Sequence, residues 1–372
     1  MSATVKPAAN RPDWVPADAG REFTTRVVPA QAAPASGGRT VKRRARESAA
    51  ALAQAIKTGD RGALARGITL IESRAGAHRR EADELLHLLT PHAGGAMRLG
   101  ITGAPGAGKS TFIDALGVQL CTTGRRVAVL SVDPSSPVTR GSILGDKTRM
   151  EKLSRQPQAF IRPSPSGGEL GGVARRTRES IVLCEAAGFD VVLVETVGVG
   201  QSEVLVRGMV DCFLVLLLAG AGDELQGIKK GLLELADVLT VNKADGDNRA
   251  RAETTRREFS RALHYLAPPA GHWQPPVLAC SSVTGDGIAG VWTTVEKFFD
   301  HGRNSGEFEQ RRQSQAQGWL DALVAEGLRE EFERKSGLAP LAAQITAQVR
   351  AGQMPAPEGA RRLLIAAGFF HE

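Results

Sequence analysis

The chain has only four cysteines, and none of them forms a C-x-x-C pair. Their wide spacing argues against a zinc site and indicates reduced core thiols: Cys121, Cys184, Cys212 and Cys280. The sequence also has no apolar run long enough to span a bilayer, and no apolar signal segment follows the N-terminus. We therefore expect a cytoplasmic protein that does not bind membranes.

The net charge of +7 is concentrated near the N-terminus. Residues 1–50 contain nine basic and four acidic side chains, so they carry +5 and leave +2 for the other residues of the 372-residue chain. So small an excess does not suit a nucleic-acid-binding surface. Residues 1–46 are rich in Ala, Pro, Arg and Gly without a sustained period, which predicts a flexible arm.

Hydrophobic periodicity divides the remaining chain into three parts. Residues 47–92 and 301–372 have apolar residues at helical spacing, whereas residues 93–300 alternate apolar strands with helical segments. Strands are expected at Met97–Thr102, Arg126–Ser131, Ala159–Arg162, Val191–Glu195, Cys212–Leu218, Val238–Asn242 and Pro276–Ser281. This alternation predicts an α/β fold with a mostly parallel sheet covered by helices on both faces. The C-terminal helices are expected to pack on this domain or on a second copy.

One glycine-rich loop follows the first expected strand and precedes a helix, with the spacing G-x-x-x-x-G-K-S. Its glycines let backbone N–H groups surround phosphate oxygens, and the helix N-terminus adds partial positive charge. Lys109 is expected to reach the β- and γ-phosphates, and Ser110 to bind Mg²⁺. The predicted phosphate-binding residues are Gly103, Ala104, Pro105, Gly106, Ala107, Gly108, Lys109, Ser110 and Thr111.

An N-K-x-D motif, Asn242–Asp245, stands at the end of a later strand and indicates which base the bound nucleotide carries. Asp245 can accept hydrogen bonds from N1–H and the exocyclic amine of guanine, which adenine does not offer. The stem of Lys243 can cover the base, and Asn242 can join this loop to the phosphate loop. The loop after the last strand is similar to one whose backbone N–H binds guanine O6: Ser281, Ser282 and Val283. The motif favours GTP over ATP.

Acidic residues after two further strands are candidates for the metal. Asp133 and Asp146 flank a Pro/Gly-rich stretch that suits a loop closing over Mg²⁺ and phosphate, although either could simply cap a turn or helix. Glu195 stands where many GTPases have the Asp of D-x-x-G, so a contact to Mg²⁺ through water is expected. Gly198 would then sense the γ-phosphate.

Val199 occupies the position at which Ras-type enzymes have the glutamine that orients the attacking water. Gln201 is the next glutamine along the chain and lies three residues past Gly198. We therefore expect slow intrinsic hydrolysis of GTP that a partner accelerates.

Five segments together resemble the MeaB family: Gly103–Thr111, residues 132–150, Glu195–Glu203, Gly222–Gly231 and Asn242–Asp245. Members of this family are G-protein chaperones of adenosylcobalamin-dependent acyl-CoA mutases and relatives of the human methylmalonic aciduria type A protein. Older names, such as ArgK, describe arginine/ornithine-transport kinases. The resemblance extends over residues 47–370 and does not include the arm.

The resemblance implies a SIMIBI-class P-loop GTPase that dimerises through its C-terminal helices and gates adenosylcobalamin loading while protecting the mutase. An adenosyltransferase is a further candidate partner. The implied metal set is Ser110, Asp133, Asp146 and Glu195. The implied third switch has Asp223, Gln226 and Lys229 as coupling positions. With the mutase bound, Lys229 would move toward the nucleotide and join Lys109 and Glu195 in catalysis.

Two questions stay open at this point. The mutase could act on methylmalonyl-CoA, isobutyryl-CoA or 2-hydroxyisobutyryl-CoA. The older kinase names also leave a small-molecule kinase as an alternative, and a targeting GTPase for nucleic acid or membrane is a second one that the small charge excess disfavours.

Overall fold

The computed structural model describes residues 47–73, 75–132, 149–163, 170–196, 202–219, 230–265, 272–335 and 337–369. Several predicted features lie outside the described residues. They are the arm 1–46, the metal candidates Asp133 and Asp146, the segment holding Gly198, Val199 and Gln201, and the third-switch residues Asp223, Gln226 and Lys229.

The described strands form one seven-stranded sheet: β1 Met97–Gly103, β2 Val127–Val132, β3 Ala159–Arg162, β4 Val191–Thr196, β5 Cys212–Leu218, β6 Val238–Asn242 and β7 Val277–Ala279. Their order is β3-β2-β4-β1-β5-β6-β7, and each adjacent pair is parallel. The predicted parallel α/β architecture is confirmed. The last strand is shorter than predicted because the Ser281 N–H bonds to the Asp286 carbonyl (2.9 Å) and closes a turn.

The described helices are α1 Ala49–Lys57, α2 Arg61–Glu72, α3 Gly76–Leu89, α4 Lys109–Thr122, α5 Glu151–Ser154, α6 Leu170–Ala186, α7 Ser202–Arg207, α8 Lys230–Leu235, α9 Arg249–Tyr265, α10 Ile288–Ser305, α11 Glu307–Arg334, α12 Leu338–Arg350 and α13 Ala356–Ala366. Side-chain hydrogen bonds cap the N-termini of the first two helices, α1 and α2. Ser48 accepts from the Ala51 N–H at 3.2 Å, and Asp60 accepts from Gly62 (2.7 Å) and Ala63 (3.1 Å). None of these helices is long and apolar enough to cross a bilayer.

Side chains of each strand alternate between two hydrophobic layers, as the pleat requires. In β2, Ala128 and Leu130 belong to one layer, and Val127 and Val129 to the other. Helices α1–α3, α6 and α9 cover the first layer, while α4 and α10 cover the second. Each fully buried Leu or Phe in these layers contributes about 1.5–3 kcal/mol to folding.

The four cysteines are free and buried, which confirms their expected place in the core. Cys280 lies directly after β7, where burial raises the pKa of its thiol to about 12. A thiol with so high a pKa stays protonated at neutral pH and behaves as a small apolar side chain.

Helix α11 has 28 residues, which corresponds to a length of about 42 Å. It follows α10, which continues to Ser305 and so extends past the domain boundary expected at residue 300. Its first turns are joined to the amino ends of the central strands, where Arg312 pairs with Asp211 at 2.8 Å. Farther along, α11 exposes Leu320, Val324 and Leu328, each by more than half.

Candidate nucleotide-binding site

The candidate site lies at the carboxyl ends of the central strands. Strand β1 continues into the phosphate loop and then into α4. Strand β4 lies next to β1, with Glu195 opposite Ile101, so the sheet brings this carboxylate beside the loop. Strands β6 and β7 end in the segments that hold Asn242 and Ser281. Parallel strands therefore assemble four sequence-distant segments at one edge, which is where open α/β sheets bind ligands.

The phosphate loop is closed by a turn in which the Ala107 N–H donates to the Ala104 carbonyl at 3.1 Å. Gly108 precedes α4 and has a φ of 85°. A Cβ atom there would lie 2.8 Å from Nδ2 of Asn242, so the position requires glycine both for its backbone angle and for space.

Lys109 is buried within the loop. Its Nζ donates to the carbonyls of Gly103 (2.8 Å) and Ala104 (3.2 Å), which hold the ammonium over the loop. Burial lowers the pKa of Lys109, and the carboxylates of Glu195 and Glu203 partly oppose that shift. The ammonium is thus a desolvated cation at the place where phosphate charge is expected.

Ser110 and Glu195 meet at the start of α4. The Ser110 hydroxyl donates to Oε1 of Glu195 at 2.8 Å, which places two side-chain oxygen atoms side by side. Mg²⁺ prefers oxygen ligands and commonly takes only one or two from protein, with phosphates and water as the others. This donor pair fits Mg²⁺, whereas no cluster of three or more His, Cys, Asp or Glu among the described residues could hold a metal alone.

Asn242 connects the phosphate loop to the segment Asn242–Asp245 with the N-K-x-D motif, called the base loop. Its Nδ2 donates to the Ala107 carbonyl at 2.8 Å, as the sequence predicted. Its Oδ1 accepts from the N–H (3.1 Å) and hydroxyl (2.7 Å) of Ser282. The side chain is buried, so both ends of the amide have partners inside the protein.

The base loop places Asp245 beside the segment after β7. Asp245 accepts a hydrogen bond from the Ser281 hydroxyl, and Ala244 N–H donates to the Cys280 carbonyl at 3.0 Å. Lys243 is exposed and has a positive φ of 59°, an uncommon angle for a residue with a side chain. Val283 is also exposed. The structure thus brings Asn242, Lys243 and Asp245 together with Ser281, Ser282 and Val283.

Two residues of this edge were missed by the sequence interpretation. The Thr196 hydroxyl donates to the Thr102 hydroxyl at 2.8 Å, and both side chains are fully buried. Thr102 ends an apolar strand directly before the phosphate loop, and Thr196 directly follows Glu195. A polar residue at the end of an apolar strand was the available signal, since neighbouring strand ends meet at the same edge.

The comparisons with known proteins agree with this geometry. A family model described as methylmalonyl-CoA mutase-associated GTPase MeaB matches residues 64–336. The GTPase ArgK of Escherichia coli is 50% identical over 285 residues, covering 75% of this chain and 86% of that protein. A mitochondrial methylmalonic aciduria type A homologue from Caenorhabditis elegans is 41% identical over 314 residues, covering 82% and 79%.

Among solved structures, one described as a LAO/AO transport system kinase is similar to this chain. It has a TM-score of 0.69 and 39% sequence identity, and the match covers 86% of this chain and 97% of that one.

Proposed function

The chain belongs to the MeaB family of methylmalonyl-CoA mutase-associated GTPases, and from this premise we propose that its GTP cycle gates adenosylcobalamin loading into an acyl-CoA mutase and protects that enzyme. The assignment of a nucleotide site to this edge of the sheet rests on the hydrogen bonds of Asn242, whose amide joins the phosphate loop to the base loop. The family description supports the mutase as partner.

Phosphate binding falls to the loop and Lys109. The ammonium bonds to the carbonyls of Gly103 and Ala104, and it would exchange these for β- and γ-phosphate oxygens. The loop N–H groups and the start of α4 would bind the remaining phosphate oxygens. Because Lys109 is buried, its attraction to phosphate is screened less than that of an exposed lysine.

Ser110 and Glu195 would hold Mg²⁺ together with the phosphates, and Asp133 and Asp146 are proposed to complete the acidic set. When bound, Mg²⁺ neutralises charge on the phosphates during phosphoryl transfer. In this chain the Ser110–Glu195 hydrogen bond keeps the two oxygens aligned beside the loop.

Guanine recognition is assigned to Asp245. Its carboxylate is oriented by the Ser281 hydroxyl and would accept from N1–H and the exocyclic amine of the base. Lys243 would pack over one face of guanine, and the backbone of Ser282 and Val283 would bind O6. Adenine presents a different pattern of donors, so the same loop would leave the carboxylate unpaired.

Hydrolysis is proposed to be slow until the mutase binds. Val199 has no side-chain group that could orient water, and Gly198 is proposed as the γ-phosphate sensor. Lys229 is proposed to approach the nucleotide when the mutase engages the third switch, with Asp223 and Gln226 as the other coupling residues. A cation at that point would stabilise the charge of the transition state.

The test is GTP turnover by the purified protein, measured alone and with methylmalonyl-CoA, isobutyryl-CoA and 2-hydroxyisobutyryl-CoA mutases in turn. We expect a low basal rate that rises several-fold with the cognate mutase. The variant Lys109→Ala serves as the negative control for turnover. A basal rate that no candidate mutase changes would contradict the proposed chaperone function. An adenosyltransferase added to the same assay tests the further candidate partner.

The protein is also proposed to form a homodimer through its C-terminal helices. The exposed stripe of Leu320, Val324 and Leu328 on α11 supports this, since apolar residues four apart lie on one helix face. The variant Val324→Glu should shift the mass in solution from dimer to monomer, whereas the exposed Asp321→Asn should not. A wild-type protein that is monomeric at every concentration would contradict the dimer.

A small-molecule kinase remains a second candidate because the similar solved structure carries that description. Transfer of the labelled γ-phosphate of GTP to arginine, ornithine or lysine would support it. Release of all label as inorganic phosphate would leave the GTPase chaperone as the function.

A further inference from the structure

The phosphate loop and Glu195 lie at the ends of two neighbouring strands, β1 and β4. Backbone pairing between these two strands ends at Ile101 and Glu195. One residue later, Thr102 still pairs with β5 on its other side, and Thr196 still pairs with β2. Side chains therefore have to hold β1 and β4 together at the level where the candidate site begins.

One hydrogen bond between side chains joins the strands at this level. The Thr196 hydroxyl donates to the Thr102 hydroxyl at 2.8 Å, and both residues are fully buried. Thr102 directly precedes Gly103, and Thr196 directly follows Glu195. The bond thus fixes the separation of the strands at the point where β1 enters the phosphate loop and β4 ends. Since water does not reach the pair, no solvent molecule replaces either hydroxyl.

The threonine pair and the carboxylate of Glu195 lie on opposite faces of the sheet. Successive side chains of a strand point to opposite faces, and in β4 Leu193 belongs to the layer that α4 covers, whereas Val194 belongs to the other layer. Glu195 accordingly reaches the start of α4, where its Oε1 accepts from the Ser110 hydroxyl at 2.8 Å. Thr196 acts on this carboxylate through the backbone of β4.

The β1 side of the pair is held in place by β5. A Cβ atom at Gly103 would collide with the carbonyl oxygen of Leu216, so the loop begins in direct contact with that strand. The Gly103 carbonyl also accepts from the Lys109 ammonium at 2.8 Å. Because the start of the loop cannot shift toward β5, its bond to Thr196 sets the position of β4 rather than that of β1.

We propose that Thr102 and Thr196 are positioning residues for Mg²⁺, a role that rests on the proposed function of Ser110 and Glu195 as its ligands. Their hydrogen bond holds the end of β4 at the separation at which Glu195 meets Ser110. Without it, the strands still pair up to Glu195, but the carboxylate loses its fixed distance from the Ser110 hydroxyl. Loss of a group that orients a metal ligand commonly weakens metal binding by about 10- to 100-fold.

Threonine-to-valine changes test this role with little change of shape. Thr196→Val removes the hydroxyl and keeps the side chain branched at Cβ. Thr240 on β6 provides a matched control because it is fully buried too, and within the described part of the chain its Oγ1 atom has no hydrogen-bond partner. Thr240→Val therefore removes a buried hydroxyl that joins no strands. Thr196→Ser keeps the hydroxyl and serves as the conservative rescue.

The experiment measures the affinity of the full chain for a fluorescent form of GppNHp, a non-hydrolysable GTP analogue, over a series of free Mg²⁺ concentrations. Samples in EDTA give the metal-free affinity. We expect Thr196→Val to need about tenfold more Mg²⁺ than the wild type for half of the rise in affinity. Thr240→Val and Thr196→Ser should follow the wild type. The affinity in EDTA should be the same in all of these proteins, since their phosphate and base loops are unchanged.

The variant Glu195→Gln shows whether the threonines act through the carboxylate. If they do, adding Thr196→Val to Glu195→Gln raises the Mg²⁺ requirement no further, so the two changes are not additive. A purely structural role of the threonine pair would instead lower the unfolding temperature in both backgrounds and leave the Mg²⁺ requirement unchanged. Thermal unfolding of the same proteins records that contribution separately.

Two results would overturn the positioning role. One is a Thr196→Val variant with the same Mg²⁺ requirement as Thr240→Val, and the other is an additive increase in the Glu195→Gln background. If Thr196→Val does not fold, the double variant Thr102→Val/Thr196→Val decides in the same assay, because it leaves neither hydroxyl without its partner. A wild type that binds GppNHp equally well with and without Mg²⁺ would contradict the proposed metal site and the positioning role with it. A wild type that binds no GppNHp would contradict the proposed function.

Discussion

The side-chain amide of Asn242 donates to the backbone carbonyl of Ala107 across 135 residues of sequence, at 2.8 Å. Its oxygen accepts from Ser282 in the segment after β7. One buried side chain therefore fixes the distance between the proposed phosphate-binding loop and the proposed base-binding loop. A nucleotide that contacts both loops meets a preformed spacing, which reduces the ordering cost of binding.

Replacement of Asn242 by Ala should release the two loops from each other. The Ala107 carbonyl and the Ser282 N–H would lose their partner, and an unsatisfied buried polar group costs about 1–3 kcal/mol. We expect faster GDP dissociation in stopped-flow measurements and a lower unfolding temperature. Asn248→Ala, in the short turn after the motif, is the control and should behave as wild type. Equal GDP dissociation rates in the two variants would contradict the connecting role of Asn242.

Gly108→Ala should destabilise the nucleotide-free protein more than Gly106→Ala does. Both glycines have similar positive φ angles (85° and 81°), so both variants carry a backbone strain of about 1–2 kcal/mol. A Cβ at Gly108 would also lie 2.8 Å from Asn242, whereas one at Gly106 has nothing within 4 Å. Urea unfolding of both variants without nucleotide measures the two losses of unfolding free energy. A larger loss for Gly106→Ala would contradict this prediction.

Asp245→Asn should weaken GTP binding and favour xanthosine triphosphate. The change removes a charged acceptor, and hydrogen bonds to charged groups are worth about 1.5–3 kcal/mol, or roughly a tenfold to hundredfold loss of affinity. Xanthine has a carbonyl where guanine has its amine, and it can accept from the asparagine NH₂. Competition binding with both nucleotides measures the change, with exposed Asp247→Asn as control. Unchanged GTP affinity in Asp245→Asn would refute the base assignment.

Lys229→Ala should leave the basal GTPase rate nearly unchanged and lose the stimulation by the mutase. The proposed role of Lys229 exists only in the complex, where its charge would stabilise the transition state. Turnover assays with and without the mutase separate the two effects, and Lys230→Ala is the adjacent control. Equal loss of basal and stimulated rates would show that Lys229 does not act as a partner-dependent switch.

Asp211→Asn should lower the free energy of unfolding strongly. The Asp211 side chain is fully buried and pairs with Arg312, and breaking a buried pair costs about 3–5 kcal/mol because one charge is left unpaired. Glu331→Gln breaks an exposed pair with Arg334, for which a loss of about 1 kcal/mol or less is expected. Urea unfolding of both variants tests the contrast, and equal losses would show that the Asp211–Arg312 pair is not a stabilising anchor for α11.

The sequence predicted the strands well because each is a run of apolar, largely β-branched residues bounded by turn residues, as Val191–Thr196 shows. The phosphate loop and the base motif are also identified from the sequence, since their chemistry depends on residues close together in the chain, and their roles in binding nucleotide stay predictions. The sequence did not predict the Thr102–Thr196 bond, and it placed Ser110 and Glu195, which meet at 2.8 Å, together only through the metal set that the resemblance implied. Such pairs depend on which strands become neighbours, and no local sequence pattern determines the order of the strands in a parallel sheet.

The amino-acid sequence by itself determined the α/β class, the helical segments before and after the sheet, and the motifs on which the proposal of GTP binding rests. Periodicity and short motifs suffice for these because they report local geometry and local chemistry. Tertiary structure alone decided that Gln315 and Arg178 bind the end of α7 and that Asp211 and Asp237 anchor α11. These contacts join polar residues 30 to 108 positions apart, and only the folded sheet brings such groups within hydrogen-bonding distance.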